Sequence, residues 1–200
     1  VNKVLSMAIV GGALLAGGCT TSTRTAPVEV TRYHLGSLTE RTGIAIEPMT
    51  GAAQISPEFQ LYADAVAAEL QRLGFAPGTT GSGYIAAVSF TRTQLGSFRE
   101  QPPVSIGLGG GGISGGRRGG VGLGGGLSFG IGGKTRQVIG SELAVQLRRR
   151  SDNTTVWEGR AVTEAVSGKP GSDPREAADR LARALFRDFP GESGVTTTVK

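Results

Sequence analysis

The chain has 200 residues, 38% hydrophobic and 18% charged, with a formal net charge of +5, one histidine and one cysteine. This is enough for one domain with a real core, and a lone cysteine excludes an internal disulfide framework. Glycine dominates the composition at 34 residues, and sixteen of these fall between Gly107 and Gly133.

The N-terminus carries Lys3, then an apolar stretch from Val4 to Ala16, then Gly17-Gly18-Cys19. A positive flank, a short apolar run and small residues before the cysteine read as a secretory signal peptide, too short for a permanent membrane helix. The arrangement resembles the lipobox of bacterial lipoproteins, although the leucine expected three places before the cysteine falls at Leu14 and Leu15 instead. The resemblance implies a signal peptide over residues 1–18 and acylation of Cys19. With Thr20 rather than aspartate next in line, it further implies sorting to the outer membrane, on its periplasmic side. The alternatives are an ordinary signal peptide cut near Ala16, or a buried structural cysteine. If Cys19 is lipidated, no thiol remains for a metal site or redox motif. Packing alone must then stabilise a mature domain of formal charge +4, once Lys3 is lost from the +5 chain.

Residues 19–27 are polar and rich in Thr and Ser, which suits a flexible tether, and residues 28–200 form one domain. Val28–Tyr33 reads as a first edge strand, and Gly43–Pro48 as a firmer one ended by proline. Ser56-Pro57-Glu58 opens a helix, with a capping hydroxyl, a proline preset for the first turn and an acid at the positive end of the dipole. Phe59, Tyr62, Val66, Leu70 and Leu73 form its apolar stripe, and Gly74 stops it. Tyr84–Arg92 is apolar on both faces and reads as a central strand. Gln137–Arg149 and Thr154–Val166 alternate as a hairpin joined at Ser151-Asp152-Asn153, with one wet face. Asp173-Pro174-Arg175-Glu176 starts a second helix, whose stripe of Ala178, Leu181, Leu185 and Phe189 ends at Pro190-Gly191. Val195–Lys200 is either a basic tail or a last edge strand. The order predicts an α/β (α+β) two-layer sandwich: a mixed, mainly antiparallel sheet with two helices on one face.

The run Ser141-Glu142-Leu143-Ala144-Val145-Gln146-Leu147, then Asp152, Val156-Trp157-Glu158-Gly159-Arg160-Ala161 and the closing Phe189-Pro190, resembles a family of bacterial envelope lipoproteins, domain of unknown function 4136. Its members share such a strand, a Trp-x-Gly-x-Ala strand and a closing helix. The resemblance spans roughly Val28 to Pro190 and implies no catalytic residue, because the family has none established. The glycine-rich insertion at 104–133 departs from the family's shorter connection.

That insertion has order of its own. Val104, Ile106 and Leu108 occupy even positions, and Val121, Leu123, Leu127, Phe129 and Ile131 odd ones, with Gly or Ser at most of the positions between. Period two around the basic pair Arg117-Arg118 fits two strands and a turn. Three readings stand: a low-complexity loop, a long hairpin extending the flanking strands, or a membrane-inserting ribbon, which needs neighbours to close its edges.

Candidate chemistry is sparse. Gly112-Ile113-Ser114-Gly115-Gly116 matches a nucleophile elbow only because any serine in a glycine tract does, and His34 lies on the wrong side of it. Ser128-Phe129-Gly130-Ile131-Gly132-Gly133-Lys134-Thr135 misses a phosphate loop by its first glycine and by leading into a strand. Glu142, Glu158 and Glu164 share the wet face of the hairpin with Arg148 and Arg160, which reads as a solvated surface rather than an acid/base pair. His34 reads as exposed on its edge strand, and Trp157 as core. The basic clusters are Arg148-Arg149-Arg150, Arg117-Arg118 and, on the last helix, Arg175, Arg180, Arg183 and Arg187. They are solvated surface or contacts for anionic envelope polymers or lipids, not for nucleic acid.

The expectation is a non-enzymatic outer-membrane lipoprotein with no cofactor and no metal. It interacts through its exposed sheet face, with Gln146, Arg148, Glu158 and Arg160, and self-assembles through the glycine-rich arm. The alternative is a binding module for a small hydrophobic or lipid-like ligand between sheet and helices.

Overall fold

Ser56 starts the first helix as its chemistry requires, its hydroxyl accepting from the Phe59 amide at 3.0 Å with Pro57 in the first turn. The computed structural model describes residues 25–36, 41–49, 56–78, 81–100, 104–108, 127–131 and 134–200. Cys19, Ser114 and the Arg117-Arg118 pair lie outside them. The chain runs β1 (Val28–His34), β2 (Gly43–Pro48), α1 (Pro57–Arg72), β3 (Ala76–Pro77), β4 (Tyr84–Arg99), β5 (Val104–Leu108), β6 (Leu127–Ile131), β7 (Thr135–Arg149), β8 (Thr155–Val166), α2 (Pro174–Phe186) and β9 (Thr196–Val199).

Seven strands form one sheet in the order β3-β2-β4-β7-β8-β1-β9, and β5 and β6 pair separately. Strand β2 lies parallel to β3 and β4, while the other neighbours are antiparallel. The crossover from β2 to β4 passes through α1, as a parallel pair demands. Both helices pack on one face, and the α+β sandwich is the one the element order predicts.

Register explains the core. Val88, Val145 and Gly159 lie side by side across β4, β7 and β8, as do Ala86, Leu147 and Trp157. Each row faces the apolar stripes of the helices, and Val66, Leu70, Leu181 and Leu185 are fully buried there. Gly159 is bare because a Cβ would meet the Trp157 ring at 2.5 Å and Leu185 at 2.8 Å. Trp157 stacks on Phe186 at 5.4 Å, and its indole N–H donates to the Pro190 carbonyl at 3.0 Å. It is core, as its strand phase indicates.

Three local expectations change. Strand β1 is not an edge, because β9 pairs along its other side; the C-terminal segment is therefore that last edge strand. His34 lies past the stretch that β9 pairs and sits in a hydrogen-bonded niche, with Nε2 3.1 Å from the Gly191 carbonyl and Nδ1 accepting from the Gly36 amide at 3.2 Å. That geometry puts the proton on Nε2. Helix α2 ends at Phe186 rather than Phe189, since Arg187 leaves helical geometry at ψ 133 and Asp188 turns at φ 56.

Strand β4 runs seven residues past Arg92, paired with β7 out to Arg99 and Thr135. Beyond it Val104 pairs with Ile131, Ile106 with Phe129 and Leu108 with Leu127. Apolar positions therefore pair with apolar positions, and Ser105 and Gly107 with Gly130 and Ser128. These two segments are therefore paired strands rather than loop, in a sheet separate from the main one; residues 109–126 lie outside the described residues.

Candidate interaction surfaces

The face of the sheet away from the helices carries the residues singled out above. Gln146 and Glu158 are directly opposite in register, and the Gln146 amide donates to Glu158 at 3.4 Å. Arg160 grips Glu142 with two bonds of 2.6 Å, which raises the Arg160 pKa further above its ordinary value. Arg150 reaches Glu47 of β2 at 2.9 Å, and Arg149 closes the β7–β8 turn on Asp152 at 2.8 Å. Such exposed pairs each contribute about 0–1 kcal/mol. Their effect on function is to occupy the carboxylates: Glu142 and Glu158 answer to cationic or amide partners rather than to each other. Among the described residues no group of three or more His, Cys, Asp or Glu is placed to hold a metal ion.

The second surface is the arm. The strands α1 and α2 cover bury nearly every inward residue, but β4 beyond Arg92 is exposed on both faces to its end, with Leu95 56% and Phe98 46% accessible. On β4, strand β2 pairs only with Tyr84–Val88. Among the described residues, the outer edge of β4 from Ser89 to Arg99 therefore has no strand beside it. A register shift between Gln94 and Gly96 interrupts this edge, the kind of irregularity that discourages indiscriminate strand addition.

A third feature escaped the sequence reading. Arg32 occupies an inward position of β1 and is only 5% exposed. Its guanidinium donates to the carbonyls of Ala184, Leu185 and Arg187 at 2.9–3.0 Å, satisfying the orphan acceptors at the negative end of α2. Burial pulls its pKa below the ordinary arginine value, while Asp188 opposes the shift. Gly191 (φ +80) packs so close that a Cβ would meet the Arg32 side chain at 2.6 Å. The strand phase Val28-Val30-Arg32 was the available signal: a charge at an inward position demands a partner.

Polar groups also line the other end of the layer interface. Arg92, Ser141 and Thr163 are register neighbours on the inner face. Arg92 donates to the Ser172 carbonyl at 2.8 Å and meets Glu58 at 3.4 Å, while Arg180 donates to Thr163 at 2.9 Å and to the Ala26 carbonyl. Tyr62 stacks on Phe90 at 4.5 Å, with its hydroxyl buried and lacking a well-formed hydrogen bond. Burial pushes that phenol up to about 12, with Arg92 and the nearby Ser141 opposing. Side chains pack this end of the layer between sheet and helices, and open space lies at its margin. A groove of about 940 Å³ runs between Thr25–Val28, α2 and β9.

The fold and these surfaces define an α+β sandwich whose fourth strand runs past its helical cover. The chain belongs to the family described as domain of unknown function (DUF4136), which its residues 45–191 match. It is 34% identical over 215 residues to the uncharacterized protein ZMO1243 of Zymomonas mobilis, covering 88% of this chain and 81% of that protein. Among solved structures, a PelC dodecamer from Paraburkholderia phytofirmans gives a TM-score of 0.44 at 11% identity, over 80% of this chain and 94% of the other. A PDZ domain protein from Parabacteroides distasonis gives 0.49 at 10% identity, over 87% of this chain and 39% of the other.

Proposed function

We propose that this protein is a lipid-anchored envelope protein of the outer membrane, acylated at Cys19, whose domain is a non-enzymatic interaction module that assembles with copies of itself through the β-arm. The observation that carries the reading is the contrast along β4: the same strand is buried beneath the helices, then continues with an outer edge that no strand among the described residues pairs, and with Leu95 and Phe98 accessible. An unpaired edge of this length offers a row of amides and carbonyls to another strand, and the two exposed apolar side chains add burial on contact. The lipobox-like stretch ending at Cys19 supports the address.

Light scattering on the full chain and on a variant lacking residues 104–131, with Leu95→Ser and Phe98→Ser added, tests the assembly. An oligomer that falls to monomer on these changes is expected. A chain already monomeric at the concentrations used, or an oligomer indifferent to the changes, would sink it. Fractionation of Cys19→Ser tests the anchor separately, the expected result being release from the membrane pellet.

A further inference from the structure

The groove between Thr25–Val28, α2 and β9 has an apolar floor that includes Val28, Ala184 and Phe186, and a cationic rim. Arg180 and Arg183 lie on α2 and Arg187 just past its end, and Lys200 follows β9 across the opening. The acid lining it is Glu69, which is already bonded to Arg72 at 2.9 Å. Glu176 acts on Arg180 from the preceding turn, and Arg180 is committed to Ala26 and Thr163. Arg183 is exposed with no carboxylate partner among the described residues, and Arg187 reaches only the 88%-exposed Asp188, at 3.8 Å. An apolar trough edged by unneutralised guanidinium groups matches an anionic amphiphile.

Chain length narrows the occupant. Six residue steps separate Cys19 from Thr25, at the groove's rim. Fully extended, they span about 20 Å. An acylated Cys19 would therefore hold this margin of the domain within that distance of the bilayer surface.

We infer that the groove is a membrane-docking site that takes the head group and upper acyl region of an anionic phospholipid, orienting the domain with α2 against the bilayer. The inference rests on the anchor reading for its geometry, but its chemistry can be tested without the anchor. The full chain carrying Cys19→Ser cannot be acylated, and its sedimentation with vesicles of phosphatidylglycerol and phosphatidylcholine is compared with that on pure phosphatidylcholine. Binding through the apolar N-terminal stretch would be common to both vesicles, so the difference between them reports charge. A basic residue at an anionic surface is worth about 1 kcal/mol, or fivefold. Arg183→Gln with Arg187→Gln should therefore lower affinity for the anionic vesicles about twenty-five-fold and leave the neutral vesicles unchanged. Equal binding to both vesicles would overturn the proposal. So would an equal loss from Arg149→Gln with Arg150→Gln at the β7–β8 turn, which would mark a general charge effect. Metabolic palmitate labelling of the unsubstituted chain reads the anchor alone. If labelling fails while the charge-dependent binding holds, the anchor reading falls and the lipid site stands.

Discussion

Strands β4 and β7 form one continuous antiparallel ladder, yet its two halves are held by different forces. From Tyr84–Arg149 to Phe90–Leu143 the inward side chains Ala86, Val88, Leu143, Val145 and Leu147 are fully buried under the helices. From Thr93–Gly140 to Arg99–Thr135 the hydrogen bonds continue, but among the described residues no layer covers β4, and Leu95 and Phe98 are accessible. Backbone hydrogen bonds net only about 1 kcal/mol each against water, whereas a buried large apolar side chain contributes about 1.5–3. The comparison teaches that pairing propagates the strand and burial fixes it. The covered half is built to stay closed, and the bare half stays available to another surface.

The sharpest way to break the covered half is at its tightest packing. Trp157→Ala should cost about 3–5 kcal/mol, because the cavity would open between Phe186, Leu185 and the sheet; urea unfolding at unchanged m-value checks it. Arg32→Ala should follow at about 2–3 kcal/mol, since it removes the donors that three carbonyls at the end of α2 accept from. Amide exchange in the last turn of α2 should quicken more than exchange in α1. Leu95→Ser with Phe98→Ser in the bare half should move stability by less than about 0.5 kcal/mol, because both residues are already exposed. A large loss of thermal stability in the monomer would show that the arm is covered after all.

Tyr62 gives a pH-dependent probe of the interface. Its folded pKa of about 12 lies above the ordinary tyrosine value of about 10, so the folded state binds more protons than the unfolded chain between those values. Stability from this group is intact below pH 10 and is lost as pH rises towards 12. Tyr62→Phe should flatten that alkaline slope in a melting-temperature series. At neutral pH it should leave stability equal or higher, because the hydroxyl it removes is buried without a well-formed hydrogen bond.

Much of the covered half was legible from local pattern. The bounds of β2 and the caps of both helices follow from Pro48, Ser56 and Asp173, each acting through groups within three residues of itself. The faces of β7 and β8 follow from strict alternation, and this also placed Gln146, Glu158, Glu142 and Arg160 together on the outer side. The far half of β4 was not legible, because Thr93, Gln94, Gly96 and Ser97 carry no apolar period; the strand exists there because β7 runs alongside. The interior place of β1 was hidden for the same reason. A four-residue strand of threonines and one valine says nothing of its partner until the chain returns to it.

What the sequence determined by itself is therefore local and chemical: two capped amphipathic helices, alternating strands, a glycine-rich insertion with period two, and a cysteine in a lipobox-like setting. Tertiary structure decided which charges are inside and which edges are left open. Arg32 becomes a cap only because β1 lies beneath the end of α2, 152–155 residues away in the chain. The cationic groove exists only where Thr25–Val28, α2 and β9 converge. Periodicity reports which face of an element prefers an apolar neighbour; it carries no information about which distant segment supplies that neighbour, and long-range pairing supplies the rest.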